Sequence, residues 1–360
     1  MTDGIYMYWL STLYTMGSRK QNLLLEHFGN AREAYAASPK ILRELPGITE
    51  NNIRNIQKSK NSLEYGVEML KRMGISFTYR GHRDYPYLLN EIPDPPVGLY
   101  YRGELPGNTL PRVAIIGSRR CSEYGLSTAR RIGAALARQG VVIVSGMARG
   151  IDSMAHRGAL ESAGLTMAVL GCGADICYPA ENRPLRDNIA KSGCIISEYP
   201  PGVNPQPYYF PARNRIISGL SQVIVVVESG KKSGTLITVD QALEQGRDVM
   251  AVPGNITNRY SEGTNSLIKQ GAEPVCSYED VLYMLGMKTY KQPKSSKEAT
   301  PRIATEEKLV YDVLAFEPYT FDEILIKTNS QPQTIQYILT MLELKGHVKK
   351  LPGMRYVKMQ

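Results

Sequence analysis

Between residues 112 and about 285 the chain alternates short, almost wholly apolar runs with longer amphipathic ones. RVAIIG (112–117), VVIVS (141–145), TMAVL (166–170), CIISE (194–198), QVIVVV (222–227) and VMAVPG (249–254) read as strands. The stretches 124–138, 151–163, 182–191, RNRIISGL (213–220) and TLITVDQALEQ (235–245) read as helices. A strand apolar at consecutive positions has both faces covered, the condition of a parallel sheet with helices on each side. The pattern predicts an α/β fold built on an extended, Rossmann-like, doubly wound and mostly parallel sheet.

The flanks follow other periods. Residues 1–80 are helical, with Leu23, Leu24 and Phe28 on one face, and the step Leu45-Pro46-Gly47-Ile48 interrupts two amphipathic segments. That break fits a helix-hairpin-helix (SAM-like) domain, in which the Gly47 backbone could meet a phosphate; the alternative is a plain αα turn. Residues 80–110 are turn-rich and read as a connector packed on the core. KTYKQPKSSKEATPR (288–302) reads as a basic, solvated linker. Three further helical segments and the basic hairpin HVKKLPGMRYVKM outline a winged helix. Its third helix carries Gln331, Gln333, Thr334 and Gln336 but no arginine, so duplex DNA and a protein remain equal partners for it. The expected domains are 1–80, 81–286, the linker 287–303 and 304–360.

A formal net charge of +9 over 360 residues favours an anionic partner. Tyrosine outnumbers the other aromatics, 23 against 5 Phe and 1 Trp, and can stack on a base while its hydroxyl stays wet. Five cysteines form no CxxC pair and no Cys/His metal spacing, so reduced thiols in a cytoplasm are expected, with no metal and no cofactor. No apolar run approaches the length of a membrane span.

The chemistry concentrates where strands end. Gly117-Ser118-Arg119-Arg120, Ser145-Gly146-Met147-Ala148-Arg149-Gly150, Gly171-Cys172-Gly173, Ser229-Gly230-Lys231-Lys232-Ser233-Gly234-Thr235 and Pro253-Gly254 each follow one. Five glycine loops on one sheet edge, three of them basic, suit a phosphate-rich ligand at the helix N-termini. None ends in Gly-Lys-Ser/Thr and none is GxGxxG, so neither a triphosphate nor a dinucleotide site is expected. Ser145, Asp152 and His156 share one segment, yet Ser145 is preceded by Val144 and no G-x-S-x-G elbow is present, and Asp152 and His156 are four apart on a helix. They read as structural.

FPARNRIISGL (210–220) sets Arg213 and Arg215 in an apolar run whose nearest preceding acid is Glu198. Pro211 suits a first helical turn, and residues two apart on a helix point about 200° apart. One arginine is then expected at the ligand, Arg213 being favoured, while the other ties helix to sheet. Phe210 offers a stacking face.

Eight motifs in order, GSRRCSEYG, SGMARGIDSMAHRGAL, AVLGCGADICYPAENRPL, ISEYPPG, FPARNRIISGLS, VVVESGKKSGTLIT, ALEQGRDVMAVPG and GTNSLIKQGA, resemble the DNA-processing protein A (DprA/Smf) family over residues 80–285. The resemblance implies a homodimeric, non-enzymatic mediator that binds and protects single-stranded DNA in natural transformation and loads the RecA recombinase onto it. It points to Gly117, Ser118, Arg119, Ser145, Gly146, Phe210, Arg213, Asn214, Ser233, Gly234 and Thr235 as DNA contacts. Lys232 in the same loop and Arg183 after YPAEN join them as basic positions. Residue 207 is a proline where some members place a basic residue. The rival expectation is a nucleotide phosphoribohydrolase, with Glu244, nine residues past Thr235, as the candidate for its catalytic glutamate.

Overall fold

The structure, a computed structural model, describes residues 3–60, 63–287, 305–314 and 318–359. It divides into two compact units, residues 1–289 and 290–360. Among the described residues no helix is long and apolar enough to cross a membrane. The linker expected over 287–303 lies, apart from Met287, outside the described residues.

In the first unit nine strands make one sheet: β1 (Ser76–Tyr79), β2 (Gly98–Gly103), β3 (Arg112–Ile116), β4 (Val142–Ser145), β5 (Thr166–Leu170), β6 (Gly193–Ser197), β7 (Val223–Val226), β8 (Asp248–Ala251) and β9 (Glu273–Pro274). Their spatial order is β1-β2-β6-β5-β4-β3-β7-β8-β9. From β6 to β9 every pairing is parallel, and β1 and β2 add an antiparallel edge. The apolar runs form β3 to β7 because both faces are covered, and each of these five strands is buried along its whole length.

Ala114 and Ile116 point into one core layer with Ile216, Leu220 and Val239, contributed by α10 (Tyr209–Gly219) and α11 (Gly234–Glu244). Val113 and Ile115 point into the opposite layer with Ile132, Leu136 and Ile151, from α7 (Glu123–Arg138) and α8 (Ile151–Glu161). The chain runs outward through β4, β5 and β6, then returns to lay β7 on the other side of β3. The gap between β3 and β7 is therefore a topological switch point, where open α/β sheets bind ligands.

Residues 80–110 are more than a connector: β2 pairs with β6 in the register Tyr101↔Ile196, and with β1 it extends the sheet. β1 also falls within the stretch expected to be helical. Both strands are short, and the partner that fixes β2 lies about a hundred residues away, so local periodicity carries little trace of them.

The N-terminal helices α1 (Asp3–Thr12), α2 (Ser18–Phe28), α3 (Ala31–Ala36), α4 (Pro39–Arg43) and α5 (Glu50–Ser59) enclose a core of Trp9, Leu10, Leu24, Leu42 and Ile56, while α6 (Leu63–Arg72) packs through Leu70 with Tyr8 and Tyr100. Gly47 adopts φ +79° between α4 and α5. The α5 N-terminus is closed by a Thr49–Asn52 capping box and carries Glu50, ion-paired to Arg43 at 2.6 Å. A carboxylate thus already occupies the end where a hairpin phosphate would sit. Helices α9 (Arg183–Ser192), α12 (Glu262–Lys269) and α13 (Tyr278–Met284) complete the unit.

The second unit is a winged helix: helices 305–313, 321–328 and 332–344 around Ile324, Ile335, Leu339 and Tyr356, with a three-stranded sheet whose wing is 348–351 and 355–358.

Candidate nucleic-acid interface

At the switch point the loops after β3 and β7 part around a cleft of about 850 Å³. Its lining includes Arg119, Arg120, Arg213, Lys231, Lys232 and Arg259 against two acids, Asp152 and Glu262. Opposite charge would be drawn in and focused there.

The loop after β3 is held tightly. The Ser118 N–H donates to the Glu228 carbonyl at 2.8 Å, while Ser122 donates its N–H and hydroxyl to the buried Glu228 carboxylate at 2.8 and 2.5 Å. Gly150 approaches from below with φ +78°, and a Cβ there would lie 2.5 Å from the Ser118 carbonyl oxygen. Only glycine fits both the angle and the space. The loop backbone is thereby fixed and its exposed tip, Arg119 and Arg120, faces the cleft.

Arg119 lies over the Phe210 ring at 5.2 Å, and Phe210 stacks with Tyr178 at 5.4 Å between centroids and 33° between planes. Guanidinium and two rings thus form one contiguous group in the lining. Arg259 covers Tyr260 at 4.9 Å and donates to its hydroxyl at 2.8 Å, a second cation–ring pair in the lining.

Arg213 forms part of the cleft floor. It is only 4% exposed, and its Nη1 donates to the Gly146 carbonyl at 2.8 Å and to the Val169 carbonyl. It thus clamps the C-terminal ends of β4 and β5 together. Burial pulls its guanidinium down to about 10, with the Asp152 carboxylate opposing the shift, so it stays charged at neutral pH. Asp152 is likewise buried and accepts the Gly146 N–H at 3.2 Å. Any side chain at Gly146 would collide with the Arg213 guanidinium.

Arg215 points elsewhere, as the helical geometry demands. Its Nη2 donates to Glu198 at 2.6 Å and its Nε lies 3.1 Å from Asp94. It joins α10 to the end of β6 and to the segment before β2.

Helix α11 opens on the opposite side of the cleft. Ser233 caps it by accepting the Thr235 N–H at 3.2 Å, and its first turn contains no acid. Helix α7 starts nearby, but its N-terminus already holds the Glu228 carboxylate. The start of α11 is therefore a free positive helix end in the cleft.

Of the residues expected from the sequence, Gly117, Ser118, Arg119, Phe210, Arg213, Asn214, Lys232, Ser233, Gly234 and Thr235 line this one cleft. Ser145 lies beneath it, fully buried, its hydroxyl donating to the Ile115 carbonyl at 2.6 Å. Gly146 is buried against the Arg213 guanidinium and is not part of the lining. Arg183 is exposed at the start of α9 and is not part of the lining. Tyr178, Lys231, Arg259 and Tyr260 belong to the cleft without having been singled out. Tyr178 and Tyr260 lie in irregular loops several residues past a strand end, and only their ring partners mark them.

The hydrolase constellation is dispersed. The Thr166 hydroxyl donates to the Ile143 carbonyl at 2.7 Å, so His156 Nδ1 donates to Thr166 Oγ1, also 2.7 Å away. Burial holds His156 neutral, down to about 3. Glu244 ends α11, ten residues and about 15 Å from the cleft end of that helix.

Residues 76–286 match the family model described as DNA recombination-mediator protein A. The chain belongs to that family. Residues 292–354 match the DprA winged helix domain. Protein Smf of Synechocystis is 34% identical over 99% of both chains. The DNA processing protein DprA of Streptococcus pneumoniae is 46% identical over 55% of this chain and 70% of its own. The X-ray structure of the pneumococcal DprA superposes with a TM-score of 0.64 at 35% identity, covering 79% of this chain and 98% of that one. A DprA structure from Helicobacter pylori, described as giving insight into a unique single-stranded DNA binding mode, superposes with a TM-score of 0.54 at 31% identity, over 59% of this chain and 95% of that one. Every loop of the cleft lies inside the matched 76–286 span of this DNA-processing recombination mediator.

Proposed function

We propose that this member binds single-stranded DNA in the switch-point cleft, shields it, and passes it to RecA, acting as a cytoplasmic homodimer without chemistry of its own. The observation that carries the reading is the Arg119–Phe210–Tyr178 group sharing one cleft with the acid-free start of α11. Basic side chains and helix amides suit phosphates at any sequence, and a pair of rings suits bases that are not already paired. A duplex keeps its bases stacked inside and offers nothing to Phe210. The engagement of Ser145 and His156 in the core, and the distance of Glu244, favour holding over catalysis. RecA and the homodimer come to this chain through its family membership.

The test is fluorescence anisotropy with labelled oligo-dT and a matched duplex at two salt concentrations. Tighter binding of the single strand that weakens with salt is expected. Binding of duplex alone, or of neither, overturns the proposal.

A further inference from the structure

Beside the basic cleft lies a second one of different chemistry. It measures about 550 Å³ and is lined by Thr12 and Tyr14, by the loop 200–206 and by Tyr208 and Tyr209. No charged side chain lines it among the described residues. Four tyrosines gather at it. Tyr209 stacks on Tyr199 at 4.2 Å and 37°, Tyr208 meets Tyr209 edge-on at 4.5 Å, and Tyr14 closes the group at 6.4 Å from Tyr209 and 6.2 Å from Tyr199. The adjacent Pro200–Val203 turn is pinned by Asp175, whose two carboxylate oxygens both accept the Gly202 N–H at 3.0 Å. Tyr199 is buried, whereas Tyr208 is 66% exposed. An aromatic side chain left that open beside a fixed ring cluster is a surface prepared for another flat group.

Its position says which group. Pro207, Phe210 and Pro211 line the basic cleft, while Tyr208 and Tyr209 line the neutral one. The start of α10 is thus a ridge with a phosphate-seeking hollow on one side and a ring-walled, uncharged hollow on the other. A strand leaving the first hollow past Phe210 meets the tyrosines next. We propose that this tyrosine cleft is a second nucleobase site, in which one or two bases of the strand held in the basic cleft stack on Tyr208 with Tyr14 and Tyr209. The N-terminal helical region thereby contributes to the strand's path through Tyr14. Hydroxyls and amides such as the Asn204 side chain supply hydrogen-bonding groups without selecting a base edge. The inference rests on the single-strand reading above and names its extent.

The experiment compares wild type, Tyr208→Ala, Tyr208→Phe and Arg119→Ala on oligo-dT of increasing length, and on a long oligomer whose terminal bases are replaced by abasic spacers. Stacking on one aromatic residue is worth enough for about a tenfold change in affinity. Tyr208→Ala is expected to weaken long oligomers by about tenfold, to leave the shortest bound oligomers unchanged, and to keep the salt slope. Tyr208→Phe keeps wild-type affinity, and the abasic substrate binds wild type as weakly as the intact oligomer binds Tyr208→Ala. Arg119→Ala weakens every length. A uniform loss across lengths, or no loss, with Tyr208→Ala overturns the second site while wild-type binding leaves the basic cleft standing. A wild-type chain that binds no oligomer overturns both.

Discussion

Two arginines on one helical turn show how a position two residues away changes what a charge can do. Arg215 has carboxylates of its own chain, Glu198 and Asp94. Arg213 has backbone carbonyls, while the exposed cation over the rings is Arg119. Removing Arg213 leaves the Gly146 carbonyl without its partner and the Asp152 carboxylate buried without its nearest cation, a cost of about 3 kcal/mol. We therefore expect Arg213→Ala to lower Tm by roughly 5 °C or more. Arg119→Ala should leave Tm unchanged and weaken oligo-dT binding at every length. Thermal melts and anisotropy on the two variants check this. A native Tm for Arg213→Ala would show that the clamp contributes nothing to the fold, and an unchanged affinity for Arg119→Ala would remove it from the site.

Helix ends, rather than glycines, decide where an anion can settle. The α7 terminus already holds the Glu228 carboxylate and α5 carries Glu50 in its first turn, whereas α11 starts with Ser233 and an acid-free turn at the cleft. Aspartate caps helices as well as serine does, so Ser233→Asp should keep Tm within about 2 °C while setting a negative charge where a phosphate is expected. Affinity for oligo-dT should fall about tenfold at low salt, and by less as salt screens the repulsion. Unaltered affinity at low salt would place the phosphate path away from α11. The five glycine loops were legible in the sequence, but which helix end was vacant was not. Glu228 follows a strand about a hundred residues from the α7 terminus it occupies, and spacing carries no sign of that pairing. The same limit hid β1 and β2, whose place depends on β6. The strands of the parallel core were legible because burial on both faces writes itself as continuous apolar runs.

At the scale of the whole molecule the question is which unit holds the strand. The cleft presents five exposed cations, Arg119, Arg120, Lys231, Lys232 and Arg259, and the winged helix has basic residues of its own in its wing, Lys350 and Arg355 among them. On single strands each phosphate neutralised contributes about −0.7 to the slope of log K against log salt. If the cleft alone carries the phosphates, the slope can be no steeper than about −3.5. A chain ending at residue 287 keeps every cleft residue and the compact unit around them. It should bind oligo-dT within about threefold of the full chain, with the same slope. A steeper slope in the full chain that relaxes on truncation would bring the wing into contact with the strand. Loss of binding on truncation would move the site to the winged helix altogether. The third helix argues against that outcome, because its first turns expose Gln333, Thr334 and Gln336, which can read a surface but neutralise no phosphate.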